Sequence, residues 1–311
     1  MRLTNLIPLI FVWLWSTGFV GAKYGLPYIE PFFMLFVRFV CVIVLFLLII
    51  EIGRHRRATW RQAIGQMFVG LMLHGLYLGG VFYAIKQGIP AGISAVIVGL
   101  QPILLLVLER VFLRQPGRSS AHYRRQYIGL ITGFIGVTLV VTGNGISGTG
   151  ITGLTGTGIA GLSLPDMSII GLIANVIALF GIAIGTVIQK RIGGDVPLLS
   201  GSLYQYLGAM ILMLVLTFTL ETQAVTPTFE LALAMLWLVF GLSLLAVVLL
   251  MYMIREGEVV KVTSYFYLVP PVTLIQTWLL FDERLNAVAL AGCALTVYAV
   301  YKVVRAPTTS T

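Results

Sequence analysis

The chain alternates long apolar runs with short polar gaps from end to end. A hydrocarbon core about 30 Å thick is crossed by roughly 20 apolar residues in a helix. Laid along the sequence, that length marks ten runs: Thr4 to Tyr24, Pro31 to Ile52, Ile64 to Tyr83, Pro90 to Phe112, Tyr127 to Thr142, Ser168 to Gln189, Leu199 to Leu220, Leu231 to Met253, Val259 to Phe281 and Asn286 to Val304. Helix is the form such a run takes, because an open strand leaves backbone N–H and C=O groups unpaired where no water reaches. The expected fold class is an all-α integral membrane protein with ten transmembrane helices.

The apolar pattern is written twice. At an offset of 169 positions Tyr83 meets Tyr252, Ile85 meets Ile254, Lys86 meets Arg255, Gly88 meets Gly257, Ser94 meets Thr263, Pro102 meets Pro271 and Phe112 meets Phe281. At an offset of 167, Gly18 meets Gly185, Val20 meets Val187, Lys23 meets Lys190 and Phe39 meets Tyr206. Two copies of one unit explain both series. The units are expected at 1–142 and 168–305, joined by a linker at 143–167 and followed by a tail at 306–311. Between Gly143 and Pro165 the linker holds Gly, Thr, Ser and scattered aliphatics with no charge, a flexible composition. Its periodic Leu and Ile leave open that it lies on the membrane surface. The first run resembles a signal peptide with a small-residue site at Val20, Gly21 and Ala22, but its match to the second copy makes it part of the repeat.

Charge turns the runs into a topology. Of 20 Lys and Arg, all but Lys23, Lys86, Arg284 and the in-span Arg38 fall on one side when the N-terminus is placed in the cytoplasm. That bias predicts cytoplasmic termini and an even number of spans. Five spans separate equivalent points of the copies, and five is odd. The second unit therefore runs inverted relative to the first, the arrangement from which alternating-access transporters are built.

Composition agrees: 59% of residues are hydrophobic, 10% are charged, and mean hydropathy is +1.00, against about 45–50% and about 25% in soluble domains. The net charge of +9 is spread over short gaps without interleaved stacking aromatics, which argues against a nucleic-acid partner. Cys41 and Cys293 lie inside apolar runs and read as small filler, with no metal-ligand spacing. There is no phosphate-binding Gly-rich loop and no carboxylate cluster inside a span, so no cofactor or metal is expected and catalysis is disfavoured.

Polar residues within spans carry the candidate chemistry, since each costs free energy in lipid unless it faces protein or water. Arg38 reads either as an anchor for a substrate carboxylate or as a structural residue bonded to backbone carbonyls. His74, with Tyr77 on the same face, reads either as a proton carrier coupling transport to a gradient or as a neutral hydrogen-bonded histidine. Ser94 and Gln101 share a face of the fourth span beside Pro102, and Ser264 and Tyr267 share one of the ninth beside Pro271. Proline inside a span frees a carbonyl, which cavity linings tolerate. Asn175, Thr186 and Gln189 lie along the sixth span, with Trp15 on its counterpart, the first; they either face a cavity or bond helices together. Lys23, Lys190, Trp60 and Trp237 near span ends read as interface anchors.

Two segments carry a family resemblance. Phe11 to Arg38, with Trp15, Gly18, Phe19, Lys23 and the Arg38-Phe39 pair, and Pro270 to Leu285, ending Phe281-Asp282-Glu283-Arg284-Leu285, resemble the EamA-like branch of the drug/metabolite transporter superfamily. The resemblance implies ten helices, cytoplasmic termini, export or exchange of small metabolites, and a central cavity lined largely by helices 3, 4, 8 and 9 with help from 1 and 6. The first copy departs from it, having Leu113-Arg114-Gln115 where the second has Asp282-Glu283-Arg284. The expected function is a secondary transporter in the plasma (bacterial inner) membrane exporting a small metabolite such as an amino acid or related carboxylate. An intramembrane enzyme acting on lipid-linked substrates and a non-transporting scaffold are the alternatives; the oligomeric state is left open.

Overall fold

The computed structural model describes residues 6–89, 94, 97–102, 104, 105, 108, 124, 127–136, 138, 139, 168–256, 262, 265–281 and 287–304. The linker 143–167, the tail 306–311, Ser264 and the segment 282–285 lie outside the described residues. Helix dominates the rest: α1 (Ile7–Gly25), α2 (Pro31–Ile52), α3 (Trp60–Lys86), α4 (described within 94–108), α5 (Tyr127–Gly136), α6 (Ile169–Ile192), α7 (Leu198–Leu220), α8 (Phe229–Glu256), α9 (Val269–Phe281, entered through a 3₁₀ turn at Tyr265–Leu268) and α10 (Ala287–Val304). By length and composition α2, α3, α6, α7 and α8 are each able to cross a membrane. Among the described residues the one strand-like pairing is the bridge between Ile29 and Val225.

Local chemistry sets the starts. Pro31 opens α2, where a missing N–H costs nothing. Thr59 and Gln62 form a capping box at the head of α3, and the hydroxyls of Ser168 and Thr228 accept from the first turns of α6 and α8. The helices are apolar outward: Leu48, Ile173, Phe218 and Phe229 are exposed, whereas Ser16, Arg38, Gln66, Asn175, Gln205 and Ser243 are buried. That distribution, the reverse of a soluble core, fits a lipid solvent.

The packing repeats across the two halves. Helix α2 lies against its own counterpart α7; α1 packs on α8 as α6 packs on α3; α2 meets α8 as α7 meets α3. In detail, Gly18 approaches the Leu242 side chain and its counterpart Gly185 approaches that of Leu73, Leu242's own counterpart. A two-fold relation between five-helix repeats accounts for all of these pairs.

Two features break the expected regularity. Residues Leu71–Leu76 of α3 and Leu238–Ala246 of α8 wind as π-helix, at equivalent positions of the two repeats. These helices also run past the expected starts at Ile64 and Leu231, to the caps at Thr59 and Thr228, and past the expected ends at Tyr83 and Met253; π segments of this kind recur at functional sites. The second break is an unequal pair of crossings. Where α3 crosses α7, a Cβ on Gly70 would run into the Gln205 carbonyl and one on Gly208 into the Met67 carbonyl, so the backbones touch. The equivalent positions in the α8–α2 pair hold Val239, which is buried, and Cys41, which is exposed, so that contact between glycines is not repeated there.

The bundle thus has two unlike ends. One carries the loops after α2 and α6, with Arg54, Arg56, Arg57, Arg61 and Arg191, and is called the basic end. The other carries Glu30, Glu221 and Glu230 and is called the acidic end. At the acidic end the Glu221 carboxylate accepts from the Phe32 and Phe33 N–H groups at 2.8 and 2.7 Å, capping α2 from the opposite repeat. At the basic end the Ser200 hydroxyl accepts from the Ala58 N–H at 2.8 Å.

Candidate functional site

A small cavity of about 20 Å³ lies between α1, α2, α3 and α8, with Trp15, Arg38, His74, Tyr77, Leu242 and Val247 among its lining residues. It sits toward the acidic end because the crossing there lacks the glycines that close its counterpart. Four of the candidates read from sequence meet in it: Trp15, Arg38, His74 and Tyr77. Trp15 donates to the Tyr77 hydroxyl at 3.3 Å and the two rings are parallel, 3° between planes.

Arg38 is fully buried. Its Nε donates to the Ser243 hydroxyl at 2.8 Å, while Nη1 and Nη2 have no hydrogen-bond partner among the described residues. An Arg at mid-membrane costs about 2.5–3.5 kcal/mol on insertion scales, and none of the described acidic residues lies on the cavity lining to offset that cost.

His74 occupies the π segment of α3. Its Nε2 is 3.3 Å from Gln205 Oε1, and its ring stacks on Tyr206 with centroids 4.6 Å apart and 6° between planes. Tyr206 in turn donates to the Ser243 carbonyl at 3.1 Å. Arg38 and Gln205 are repeat counterparts, as are His74 and Ser243. The bond that Arg38 donates to Ser243 and the one that Gln205 accepts from His74 are therefore one contact made twice, with different chemistry in each copy. Both π segments serve it, each aiming one polar side chain across the two-fold relation.

Toward the basic end the same network continues as amides. Gln205 Nε2 donates to Gln66 Oε1 at 2.6 Å and to Gln189 Oε1 at 3.1 Å, and lies 3.4 Å from Met251 Sδ. Gln189 thus joins the polar network without lining the cavity.

The remaining candidates lie elsewhere. Ser94 donates to Asn175 at 2.9 Å and Gln101 to Thr186 at 3.3 Å; both pairs join α4 to α6. Tyr267 is buried, its ring covering Gly133 of α5 and its hydroxyl without a partner. The cavity lining among the described residues therefore comes from helices 1, 2, 3 and 8, whereas the resemblance implies 3, 4, 8 and 9 with help from 1 and 6. Of the residues read as interface anchors, Lys190 donates to the Ile254 carbonyl at 2.9 Å and Trp237 to the Thr17 hydroxyl at 2.8 Å. Cys41 and Cys293 are free thiols.

The repeat mismatches Arg38 against Gln205 and His74 against Ser243 point to these positions from sequence alone, whereas Gln66 and Tyr206 join the network without standing out in the sequence.

Comparison with known proteins decides the family. The model of the EamA-like transporter family matches residues 3–142 and 169–305, once per repeat. The chain belongs to the EamA-like transporter family. Among its relatives is a chain of Escherichia coli K12 described as an uncharacterized inner membrane transporter, YedA, 24% identical over 96% of this chain and 92% of that one. Another is described as a probable amino-acid metabolite efflux pump of Salmonella typhimurium LT2, 25% identical over 96% and 94%. A crystal structure at 20% identity superposes with a TM-score of 0.72 over 96% of this chain and 94% of that chain, which supports the fold alone. This EamA-like chain is accordingly a membrane transporter built as two five-helix repeats, and with five crossings each the repeats face opposite ways.

Proposed function

We propose that this transporter moves small carboxylate-bearing metabolites, amino acids or related carboxylates, by alternating access as a secondary active exporter of the plasma membrane. The observation that carries the reading is Arg38: a buried guanidinium on a cavity between the repeats, with two donor nitrogens unmatched among the described residues. A paired N–H fork is the geometry a carboxylate fills with two charge-assisted hydrogen bonds. The positive-inside bias assigns the basic end and both termini to the cytoplasm. The described conformer then has its basic-end crossing shut and its cavity toward the outside. A relative described as an amino-acid metabolite efflux pump agrees with this substrate class.

The test is solute counterflow in proteoliposomes. Replacing Arg38 by Gln should raise KM for carboxylates by about tenfold or more, the equivalent of about 1.4 kcal/mol, and leave neutral solutes unaffected. Because Arg38 has no ionic partner to strand, Arg38→Gln should fold as well as the parent or better. An unfolded Arg38→Gln protein would show that the guanidinium is structural.

A further inference from the structure

We infer that in the described conformer Arg38 holds a single halide ion, chloride in ordinary media, and that a carboxylate must displace this ion in order to bind. The ion site stands on its own geometry; the displacement rests on the reading of Arg38 as the carboxylate site.

Charge calls for an anion. An arginine stays protonated in proteins, and Arg38 is fully buried with Nη1 and Nη2 unpaired among the described residues. Of the chain's 11 acidic residues, the described ones are Glu30, Glu51, Asp195, Glu221, Glu230 and Glu256, all in loops or at helix ends and none on the lining. The sequence puts Glu109, Asp166, Glu258, Asp282 and Glu283 near span ends as well. Even Glu30, eight residues before Arg38, is about 12 Å away along a helix that rises 1.5 Å per residue. A bound ion supplies the opposite charge that these side chains do not.

Size and the lining choose which anion. At about 20 Å³, against the roughly 10–15 Å³ that one water needs, the cavity takes a monatomic ion and not a metabolite. Water fits there too, but it brings no charge. The Arg38 fork offers the N–H groups of both Nη atoms, and the Tyr77 hydroxyl, which accepts from Trp15 at 3.3 Å, keeps its own proton to give. One lining acceptor, His74 Nδ1, is also unpaired among the described residues. Leaving a neutral acceptor unmatched costs less than leaving a buried full charge unmatched, so the guanidinium decides the sign of the ligand. Much of the remaining wall is carbon, from Phe19, Leu78, Val81, Phe82, Leu242 and Val247. Chloride and bromide give up their water to such a wall more cheaply than fluoride does. A carboxylate with a body attached reaches Arg38 only when the cavity widens, and the ion leaves as it arrives.

The experiment is equilibrium dialysis of radiolabelled chloride against purified full-length protein in detergent, with sodium sulfate holding the ionic strength constant. The parent should bind one chloride per chain saturably, and both bromide and acetate should displace it. Arg38→Gln should weaken chloride binding by about tenfold or more. Val81→Phe, which fills the cavity beside an intact Arg38, should weaken it as well, and Arg56→Gln, at an exposed position of the basic end, should leave it as in the parent. Elution in detergent checks the fold of each variant; should Arg38→Gln or Val81→Phe depart from the parent position, the other decides. Chloride bound equally by the parent and by either folded variant lies elsewhere and overturns the inference. No saturable chloride in the parent, with labelled acetate bound and then lost in Arg38→Gln, overturns it while keeping Arg38 as the carboxylate site. Saturable chloride that depends on Arg38 but resists acetate keeps the ion site and overturns the displacement together with the carboxylate reading. Saturable binding of neither probe overturns both.

Discussion

Positions 38, 74, 205 and 243 form a buried polar cluster at the contact between the repeats, and their logic is asymmetry laid on a symmetric frame. The duplicated sequence marks Arg38 against Gln205 and His74 against Ser243 as mismatched counterparts, which is as far as one dimension reaches. That each residue of one mismatch bonds to a residue of the other depends on how α2 and α7 cross α8 and α3. The environment of His74 bears on proton coupling. It lies within electrostatic reach of the buried Arg38 guanidinium and stacks face to face on Tyr206, so a proton on its ring would add a second uncompensated positive charge to the same chamber. His74 is better suited to shape the cavity and hold Gln205 than to carry protons. His74→Gln, which keeps a neutral hydrogen-bonding group, should therefore shift KM while any dependence of transport on a pH gradient stays as in the parent. Transport measured with and without the gradient in both proteins checks this; a gradient effect that vanishes with His74 would make it the coupling residue.

At the scale of elements, the spans were legible and their irregularities were not. Ten apolar runs follow directly from composition, but a π segment has the same apolar residues as the helix around it, so Leu71–Leu76 and Leu238–Ala246 leave no mark on the pattern. The Gly70 and Gly208 contacts were hidden for a different reason: a glycine in a span signals close packing without naming the partner. Gly208→Val should push α7 off the Met67 carbonyl, a cost of about 1–3 kcal/mol for overpacking, seen as a lower melting temperature in detergent. A second element-scale prediction concerns Glu221 at the head of α2. Burial raises its carboxyl above the ordinary 4.5, and the Glu30 charge raises it further, while the Phe32 and Phe33 N–H groups and Lys86 pull the other way. A carboxyl with a raised pKa binds its proton more tightly in the closed contact than when released. The contact is thus most favoured at low pH and weakens as pH climbs from 4.5 through the raised value. Melting temperature followed over that window should fall with pH in the parent more than in Glu221→Gln. Equal slopes in the two proteins would remove Glu221 from the account.

For the whole molecule, the inverted repeat turns one conformer into a forecast of another. Duplication and the odd number of spans per unit were readable from matched residues such as Pro102 with Pro271. Which end is shut was not, because it rests on Gly70 and Gly208 each meeting a backbone carbonyl across α3 and α7, a contact that Val239 and the exposed Cys41 do not repeat across α8 and α2. If each repeat takes up the other's conformation, the α3–α7 crossing parts, the α2–α8 crossing tightens, and a cavity forms toward the basic end among the counterparts of the present lining. Val81 is on the lining of the present cavity and its counterpart Leu250 is not, although both side chains are buried to 3% exposure. In a background with Cys41 and Cys293 replaced by Ser, Val81→Cys should react with a membrane-impermeant maleimide added at the acidic end, and Leu250→Cys should resist it from either side. Saturating transported substrate should raise labelling of Leu250→Cys from the basic end and lower that of Val81→Cys. Adding Gly208→Val should produce the same shift without substrate, because it penalises only the crossing that holds the basic end closed. Rocking between two equivalent conformers requires the two reporters to move in opposite directions. Reporters that rise and fall together would mean that the bundle breathes as one body, and a Leu250→Cys thiol that stays unreactive during active exchange would rule out a path through the α3–α7 crossing.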